Sequence, residues 1–185
     1  MPWTIDKSSR GEGLDRRKEK TRLRELEELF DRYGHPLYRY LVFRLGQAED
    51  AEDVLQEIFC RLARYGLRWR LVRDPRAFIF RMARNETNRF LKHKVGLRKG
   101  ERVIMTGAET GFTAAVAAPG EPALALLLRR AEELPSEQKE VIFLKVFDGL
   151  TFKEIASVCG ISANTVASRY RYGIEKLREA VGGRP

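Results

Sequence analysis

The stretch from Leu150 to Arg171, LTFKEIASVCGISANTVASRYR, constrains the fold most, because it contains two helix starts of the same design. Thr151 is followed three residues later by Glu154, the spacing of a capping box. Gly160 supplies a residue able to adopt the left-handed conformation that ends a helix, and Ser162 is a suitable cap for the next one. Two short helices joined at one glycine predict a helix-turn-helix.

The second helix of this pair has a polar face where a helix inside a core would carry leucines. Its inward face is predicted to contain Val166, Tyr170, Ile174 and Leu177. Its outward face contains Asn164, Ala167, Ser168 and Arg171, flanked by Arg169 and Lys176. Such side chains suit a major groove, where short polar groups contact base edges and cations contact phosphates. A helical hairpin with its polar side in water is the alternative.

The positive charge of the chain is concentrated in one segment. The whole chain carries +9, and the segment from Arg68 to Arg102 contains twelve Lys or Arg and three acids, which is also +9. A field of one sign at this density favours a polyanionic partner, of which nucleic acid is the commonest. An anionic membrane is less suitable, because the segment lacks a wide apolar face.

Helical periodicity runs through nearly the whole chain, so we predict an all-α fold. One helix is expected from Arg22 to about Leu45, with a bend at Gly34 and Pro36, and a second from about Ala48 to Tyr65. Asp74 and Pro75 form a cap and a first-turn proline, which open a third helix to about Lys94. Its predicted core residues are Phe78, Ile79, Met82 and Ala83, and those of the second helix are Ala51, Val54, Leu55, Ile58 and Leu62.

The chain therefore divides into two helical domains. An N-terminal bundle of three to four helices is expected at residues 22–95, after a polar tail at 1–21. Residues 96–122 are rich in glycine, proline and small side chains and are predicted to be a flexible linker. The helix-turn-helix belongs to a second domain at residues 123–181.

An acidic helix and a basic helix are the remaining candidate sites. GQAEDAEDVLQEIF has five acids and no base, and Asp50, Asp53 and Glu57 share one face, where like charges repel. Complementing the helix dipole, binding a divalent metal and docking a basic protein surface all remain open. The basic helix combines Arg84, Arg89 and Lys92 with amides and aromatic residues, a composition that suits single-stranded nucleic acid.

Other features limit the class of protein. No apolar run approaches the ~18 residues of a membrane helix, and the polar N-terminus lacks a secretory signal, so a cytoplasmic protein without membrane insertion is expected. Cys60 and Cys159 are expected to be buried free thiols. Two isolated histidines and the acids of one helix do not form a catalytic constellation, so neither enzymatic activity nor a cofactor or metal is expected.

In combination, four motifs resemble the extracytoplasmic-function (ECF) sigma factors, the two-domain subunits that bring bacterial RNA polymerase to promoters. The motifs are AEDVLQEIFCRL, DPRAFIFRMARNETNRFLKHK, LPSEQKEVIFLKVFDGLTFKEIA and GISANTVASRYRYGIEKLR. The resemblance covers about Leu26 to Lys94 and Leu134 to Glu179. It implies a sigma2 bundle and a sigma4 helix-turn-helix domain, with core RNA polymerase and promoter DNA, both duplex and melted, as partners of a monomeric chain. An anti-sigma factor is a further candidate partner.

The resemblance also implies roles for individual positions. Polymerase binding is expected at Asp50, Asp53, Gln56 and Glu57. Melting and reading of the minus-10 element are expected at Trp69, Arg84, Asn85, Asn88, Arg89 and Lys92. Duplex recognition of the minus-35 element is expected at Asn164, Thr165, Ser168, Arg169, Arg171 and Lys176. The chain departs from the family pattern at Arg89, Ala167 and Tyr172, which leaves its promoter preference open.

The sequence thus predicts a sigma factor with no catalysis of its own. The alternative is a freestanding helix-turn-helix regulator that binds duplex DNA without polymerase. Such a regulator usually dimerises to read paired half-sites, but the chain shows no heptad seam, and its acidic face would have no partner.

Overall fold

The computed structural model describes residues 8–97, 131 and 133–180, and the regular elements in these ranges are helical. The prediction of an all-α fold is confirmed. The first half contains α1 (Ser8–Leu45), α2 (Ala48–Tyr65), a 3-10 helix (Gly66–Leu71) and α3 (Pro75–Leu97). The second half contains α4 (Ser136–Val146), α5 (Phe152–Cys159) and α6 (Ala163–Ala180). Most of the predicted linker, residues 98–122, lies outside the described ranges.

Helix α1 is longer than predicted, because it begins at Ser8 rather than near Arg22. Residues 15–29 are mostly Arg, Lys, Glu and Leu, which are strong helix formers. The helix also continues through Pro36, where a bend was predicted. Leu37 and Leu41, directly after this proline, are fully buried, and their packing offsets the backbone hydrogen bond that proline cannot donate.

Helix α2 packs along α1 with the predicted face. Ala51, Val54, Ile58 and Leu62 are buried, whereas Leu55 is only half-buried. Gly66 ends the helix with a positive φ of 59°, and its amide donates to the carbonyl of Leu62. The spacing of the apolar residues therefore determines which side of α2 faces the core.

The start of α3 is as predicted, because the Asp74 carboxylate accepts a hydrogen bond from the Ala77 amide at 3.0 Å. Its core face is partly different. Ile79 and Ala83 are buried, but Phe78 and Met82 are half-buried, and the unpredicted Phe80 is fully buried. Helix α3 contacts α1 and α2 on one side and α5 on another, so it buries a wider surface than a three-helix bundle alone requires.

Within the second half, α4 and α6 approach closely at a glycine. A methyl group placed on Gly173 of α6 would lie 2.6 Å from Cδ1 of Ile142 on α4, so a larger residue would force the two helices apart. Val166 and Leu177 of α6 are buried, and Tyr170 and Ile174 are half-buried against the core. The predicted inward face of α6 is confirmed.

The two halves pack against each other around Phe143 of α4. Its ring stacks on Phe43 of α1, with centroids 4.4 Å apart and planes 12° apart, and lies 6.2 Å from the ring of Tyr40. All three residues are buried. The two halves therefore share one hydrophobic core, which the sequence did not predict.

We expect Phe143→Ala to lower the free energy of unfolding by about 3 to 5 kcal/mol, the usual cost of emptying a buried phenylalanine site. Urea denaturation followed by circular dichroism measures it. The control is Val146→Ala on the same helix, where the side chain is half exposed and the change should be within about 0.5 kcal/mol. Equal effects of the two substitutions would contradict a shared core at Phe143.

Candidate functional site

The helix-turn-helix is formed by α5 and α6, and local hydrogen bonds set both helix starts. The Thr151 amide donates to the Glu154 carboxylate at 2.6 Å, and the Glu154 amide donates to the Thr151 hydroxyl at 3.2 Å. Gly160 closes α5 with φ of 69°. The Thr165 amide donates to the Ser162 hydroxyl at 3.0 Å, which caps α6. The predicted capping box, turn glycine and second cap are confirmed.

The outward face of α6 presents polar and basic side chains along one surface. Asn164, Thr165, Arg171 and Lys176 are exposed, and Ser168 and Arg169 are half-buried. The Thr165 hydroxyl lies 2.8 Å from that of Ser162, so it also supports the helix start. Arg171 lies over the ring of Tyr172, with its guanidinium carbon 5.1 Å from the centroid. Tyr172 is 50% exposed and adds an aromatic surface that was not predicted.

Helix α3 presents only part of the predicted minus-10 set to solvent. Asn85, Arg89 and Lys92 are exposed on one face. Arg84 and Asn88, one turn apart on the neighbouring face, are half-buried and contact other helices of the chain. The side chain of Trp69 lies outside the described residues. The structure therefore divides this set into residues available to a ligand and residues already paired.

Glu140 of α4 is the partner that holds the paired residues. Its Oε1 atom accepts hydrogen bonds from the Tyr40 hydroxyl at 2.7 Å, from Nη1 of Arg44 at 2.5 Å and from Nε of Arg84 at 3.0 Å. The second arm of the Arg44 guanidinium donates to the Asn88 side-chain carbonyl at 2.8 Å. One carboxylate of the second half thus binds three donors of the first half, and Arg44 joins it to the minus-10 set.

The Glu140 carboxylate is held in its charged form. Burial alone would raise its pKa, but the charges of Arg44 and Arg84 and the hydrogen bond from Tyr40 outweigh burial, so the pKa lies below its ordinary value. Burial and the neighbouring Glu140 charge raise the pKa of Tyr40 well above its ordinary value, so its hydroxyl stays protonated and donates a hydrogen bond to Glu140. Arg44 was not predicted as a functional residue, because nothing near it in sequence indicates a partner.

A second ion pair joins the halves at Asp148, in the turn after α4. Nη2 of Arg39 lies 3.2 Å from Oδ1 of Asp148 and donates to the Phe147 carbonyl at 3.3 Å. Burial raises the pKa of Asp148 to about 7, although Arg39 and Arg76 act in the opposite direction. Its Oδ2 atom has no hydrogen-bond partner among the described residues. This carboxyl is therefore the less well compensated of the two that join the halves.

The acidic face of α2 is less free than the sequence suggested. Asp50 pairs with Lys94 of α3, and Glu57 pairs with Arg61 one turn later at 3.2 Å. Asp53 and Gln56 are exposed. Cations within the chain thus offset part of the like-charge repulsion that pointed to an outside partner.

An apolar groove adjoins Gln56 and was not predicted. Phe30 of α1 and Phe59 of α2 form an edge-to-face pair in it, with centroids 5.0 Å apart, and Phe30 is 53% exposed. The groove is lined by Leu26, Phe30, Glu52, Leu55, Gln56, Phe59, Cys60 and Ala63. The sequence signal was present, because Phe30 belongs to the apolar pattern of α1, but that pattern alone does not separate a core residue from one that borders a groove.

The two cysteines differ in their surroundings. Cys159 is buried as predicted, and burial together with the Glu140 charge raises the pKa of its thiol to about 12, which keeps it protonated and unreactive. Cys60 is exposed, so the prediction that it is buried was wrong. It lies on α2 among the residues that line the groove.

The described ranges contain neither a candidate metal site nor a membrane-spanning helix. Within residues 8–97, 131 and 133–180, no three His, Cys, Asp or Glu residues are grouped as metal ligands. Among the helices so described, none has the length and apolar character needed to cross a membrane.

Two protein-family models match the chain, one in each half. The family model described as Sigma-70 region 2 matches residues 29–95, and the one described as Sigma-70, region 4 matches residues 124–177. Together they cover more than half of the chain.

Curated relatives agree with these matches over most of their own length. The ECF RNA polymerase sigma factor SigW of Bacillus subtilis is 29% identical over 82% of this chain and 86% of its own. The RNA polymerase sigma factor CarQ of Myxococcus xanthus is 28% identical over 84% and 88%, respectively. The solved structure of the sigma factor RpoE with the anti-sigma factor NepR from Bartonella quintana has the same fold, with a TM-score of 0.64 and 20% identity over 86% of this chain and 97% of that one.

The pKa of Asp148 predicts a pH dependence of stability. Its folded-state pKa of about 7 exceeds the ordinary 3.8, so the folded chain binds more protons than the unfolded chain between these values. The contribution of Asp148 to stability should therefore fall as pH rises from about 4 to 7 and remain constant above. Asp148→Asn should remove this contribution, so the free energy of unfolding of the variant, relative to that of the wild type, should rise with pH over that range. Urea midpoints at several pH values test this, and parallel curves for the two proteins would contradict it.

Proposed function

The chain belongs to the extracytoplasmic-function sigma factors of the sigma-70 family, and from this premise we propose how its two halves divide the work of starting transcription. As a sigma factor it directs promoter recognition and transcription initiation and is not itself an enzyme. Residues 22–95 form the domain that binds core RNA polymerase and the minus-10 element, and residues 123–181 form the domain that binds the minus-35 element. Residues 96–122 connect the two, and residues 1–21 precede them.

The observation that carries this proposal is the order of the two family matches on the two halves. Region 2 falls on the half with the acidic face of α2 and the basic face of α3, and region 4 falls on the helix-turn-helix. The acidic face suits a basic protein surface, the basic face suits a melted DNA strand, and the helix-turn-helix suits duplex DNA. The partners are core RNA polymerase and promoter DNA, and the site of action is the cytoplasm, where both are found.

Core polymerase docks on α2 in this proposal. Asp53 and Gln56 are the exposed members of the predicted set, and the apolar groove beside Gln56 adds a surface that a partner helix fills. Asp50 and Glu57 border this face and remain paired to Lys94 and Arg61. The exposed acids select a basic partner, while the groove supplies apolar contact area.

The minus-10 element binds along α3 as a melted strand. Asn85, Arg89 and Lys92 follow each other on one exposed face, where amides contact base edges and cations contact phosphates. Trp69, in the preceding 3-10 helix, is the aromatic residue of this set, and indole rings suit stacking on an unpaired base. Arg84 joins this surface only after its contact with Glu140 of the second half is broken, whereas Asn88 is held by Arg44 within the first half.

The minus-35 element binds as duplex on α6. Asn164 and Thr165 lie at the helix start, where a recognition helix meets base edges, and Arg171 and Lys176 lie farther along. Ser168 and Arg169, which are half-buried, complete the set. The chain acts as a monomer, because polymerase sets the spacing of the two domains in place of a dimer. An anti-sigma factor is a candidate regulator, as the similar RpoE structure is a complex with one.

Transcription in vitro tests the proposal as a whole. Purified chain, bacterial core enzyme and a library of promoter fragments should give transcripts that depend on both proteins. A chain that does not bind core enzyme and binds a duplex operator alone as a dimer would contradict the proposal.

Docking at α2 predicts that Asp53→Lys weakens binding to core polymerase by about tenfold or more. The substitution replaces a carboxylate that attracts the basic partner surface with a cation that this surface repels. The matched control is Asp31→Lys, another exposed acid, which lies on α1 and does not line the groove. Fluorescence titration of labelled chain with core enzyme measures both affinities. Equal affinities of the two variants would contradict docking at Asp53.

Minus-35 recognition predicts that Arg171→Ala weakens binding of the holoenzyme to the upstream element by about 1 to 3 kcal/mol if the guanidinium contacts a base edge. The control is Arg178→Ala, an exposed arginine in the last turn of the same helix. Footprinting over the upstream element measures the loss. An unchanged footprint with Arg171→Ala would remove this residue from the recognition surface.

A further inference from the structure

Three hydrogen-bond donors of the first half converge on one point, and that point is occupied by a side chain of the second half. The Tyr40 hydroxyl, the Arg44 guanidinium and the Arg84 guanidinium all donate to a single oxygen of Glu140. The donors come from α1 and α3, which pack together within the first half. The receiving geometry thus belongs to the first half, and only the anion comes from the second.

The three donors require an anionic partner whenever they are shielded from bulk water. The Arg44 side chain is 14% exposed and that of Arg84 is 26% exposed, so both cations are partly desolvated. A buried cation that loses its partner is strongly unfavourable. When the halves separate so that the two domains can reach two promoter elements, Glu140 leaves, and the donors need either water or another anion.

The neighbouring surface indicates which anion replaces Glu140. Arg84 and Asn88 lie one turn apart on α3, directly beside the exposed face of Asn85, Arg89 and Lys92. A strand lying on that face brings its phosphodiester groups next to the convergence point. A guanidinium fork matches the two free oxygens of a phosphodiester as well as it matches a carboxylate, and a tyrosine hydroxyl donates to either.

We propose that Tyr40, Arg44 and Arg84 form a phosphate pocket, which Glu140 fills in the closed chain and a backbone phosphate of promoter DNA fills in the open, polymerase-bound chain. This inference rests on the proposed function. It adds Tyr40 and Arg44 of α1 to the DNA-binding residues, although both lie outside the helices that the sequence pointed to. It also makes Glu140 an internal competitor of DNA.

Other contacts that hold the halves together favour Glu140 over DNA in this competition. Arg39 pairs with Asp148, Arg81 donates to the Ser157 hydroxyl at 2.6 Å, and Phe43 stacks on Phe143. Because these contacts keep Glu140 beside the pocket, its effective concentration there is high, and free DNA competes poorly. The free chain should therefore bind promoter DNA weakly until polymerase separates the halves.

Two arginines of α1 offer a matched comparison. Arg39 and Arg44 each pair with a buried carboxylate of the second half, but only Arg44 lies in the pocket. Arg44→Gln and Arg39→Gln therefore each remove one ion pair that holds the halves together, and only Arg44→Gln removes a phosphate ligand. The probe is a fork-junction promoter fragment selected from a random library by the wild-type holoenzyme. Fluorescence anisotropy at several salt concentrations gives the affinity and its salt slope.

We expect holoenzyme with Arg44→Gln to bind the fragment about tenfold more weakly, with a salt slope smaller by about 0.7 to 0.9, the value of one phosphate contact. Holoenzyme with Arg39→Gln should match the wild type in both. If Arg44→Gln does not fold, Arg44→Lys keeps the charge and loses the fork, and a loss of about threefold at unchanged slope is expected. Equal affinity and slope for the wild type and the Arg44 variant would overturn the pocket.

Glu140→Gln tests the competitor directly in the free chain. The substitution keeps the size of the side chain and removes its charge, so the free chain should bind a single-stranded oligonucleotide severalfold more tightly than the wild type. Adding Arg44→Gln to this variant should cancel the gain. A gain that persists in the double variant, or no gain at all, would overturn the inference.

The same measurements separate this inference from the proposed function. A wild-type holoenzyme that neither forms nor transcribes would overturn the proposed function and the pocket with it. A wild-type holoenzyme that forms and transcribes, with an Arg44 variant equal to it, would overturn the pocket alone.

Discussion

The arrangement of the two halves depends on one carboxylate, Glu140, which a helix of the second half inserts among three donors of the first. Burial works against the charged form, so the site is stable only while Tyr40, Arg44 and Arg84 all donate to it. Such a group contributes little net stability compared with an apolar replacement, but it penalises any arrangement that leaves the charge unpaired. The ion cluster thus specifies how the halves meet, while the stacked rings of Phe43 and Phe143 supply the apolar area.

Helix α4 can join the halves because its faces have different tasks. Glu140 and Phe143, three residues apart, face α1 and α3, whereas Ile142 meets α6 at Gly173. A helix of 11 residues thereby connects the helix-turn-helix to the first half without an intervening layer. The absence of a side chain at Gly173 matters for this reason, since it allows α6 to approach α4 closely enough for one short helix to serve both contacts.

Local features of this chain were predictable and distant ones were not. The cap at Asp74, the capping box at Thr151 and the turn at Gly160 involve residues within three or four positions, and all were confirmed. The Arg44–Glu140 pair spans 96 positions, and no local pattern encodes such a contact. For the same reason, Phe80 was missed as a core residue, because α3 packs on a second surface that the sequence of α3 does not reveal. Composition and the family resemblance named Asn85, Arg89 and Lys92 together with Arg84 and Asn88, but neither indicated that the last two are paired with Glu140 and Arg44.

The closed arrangement also implies an order of events for a sigma factor of this shape. Asp53, Gln56 and the groove beside them, the proposed docking surface, are accessible while the halves are together, so docking there does not require the halves to separate. Arg84 is bound to Glu140 of the second half at the same time, so the proposed minus-10 surface lacks this residue until the halves separate. Docking on α2 leaves the Glu140 cluster untouched, because that cluster is formed by α1, α3 and α4. With the proposed docking on α2 alone the chain would therefore remain closed, and separation would require a further contact that competes with the Glu140 cluster.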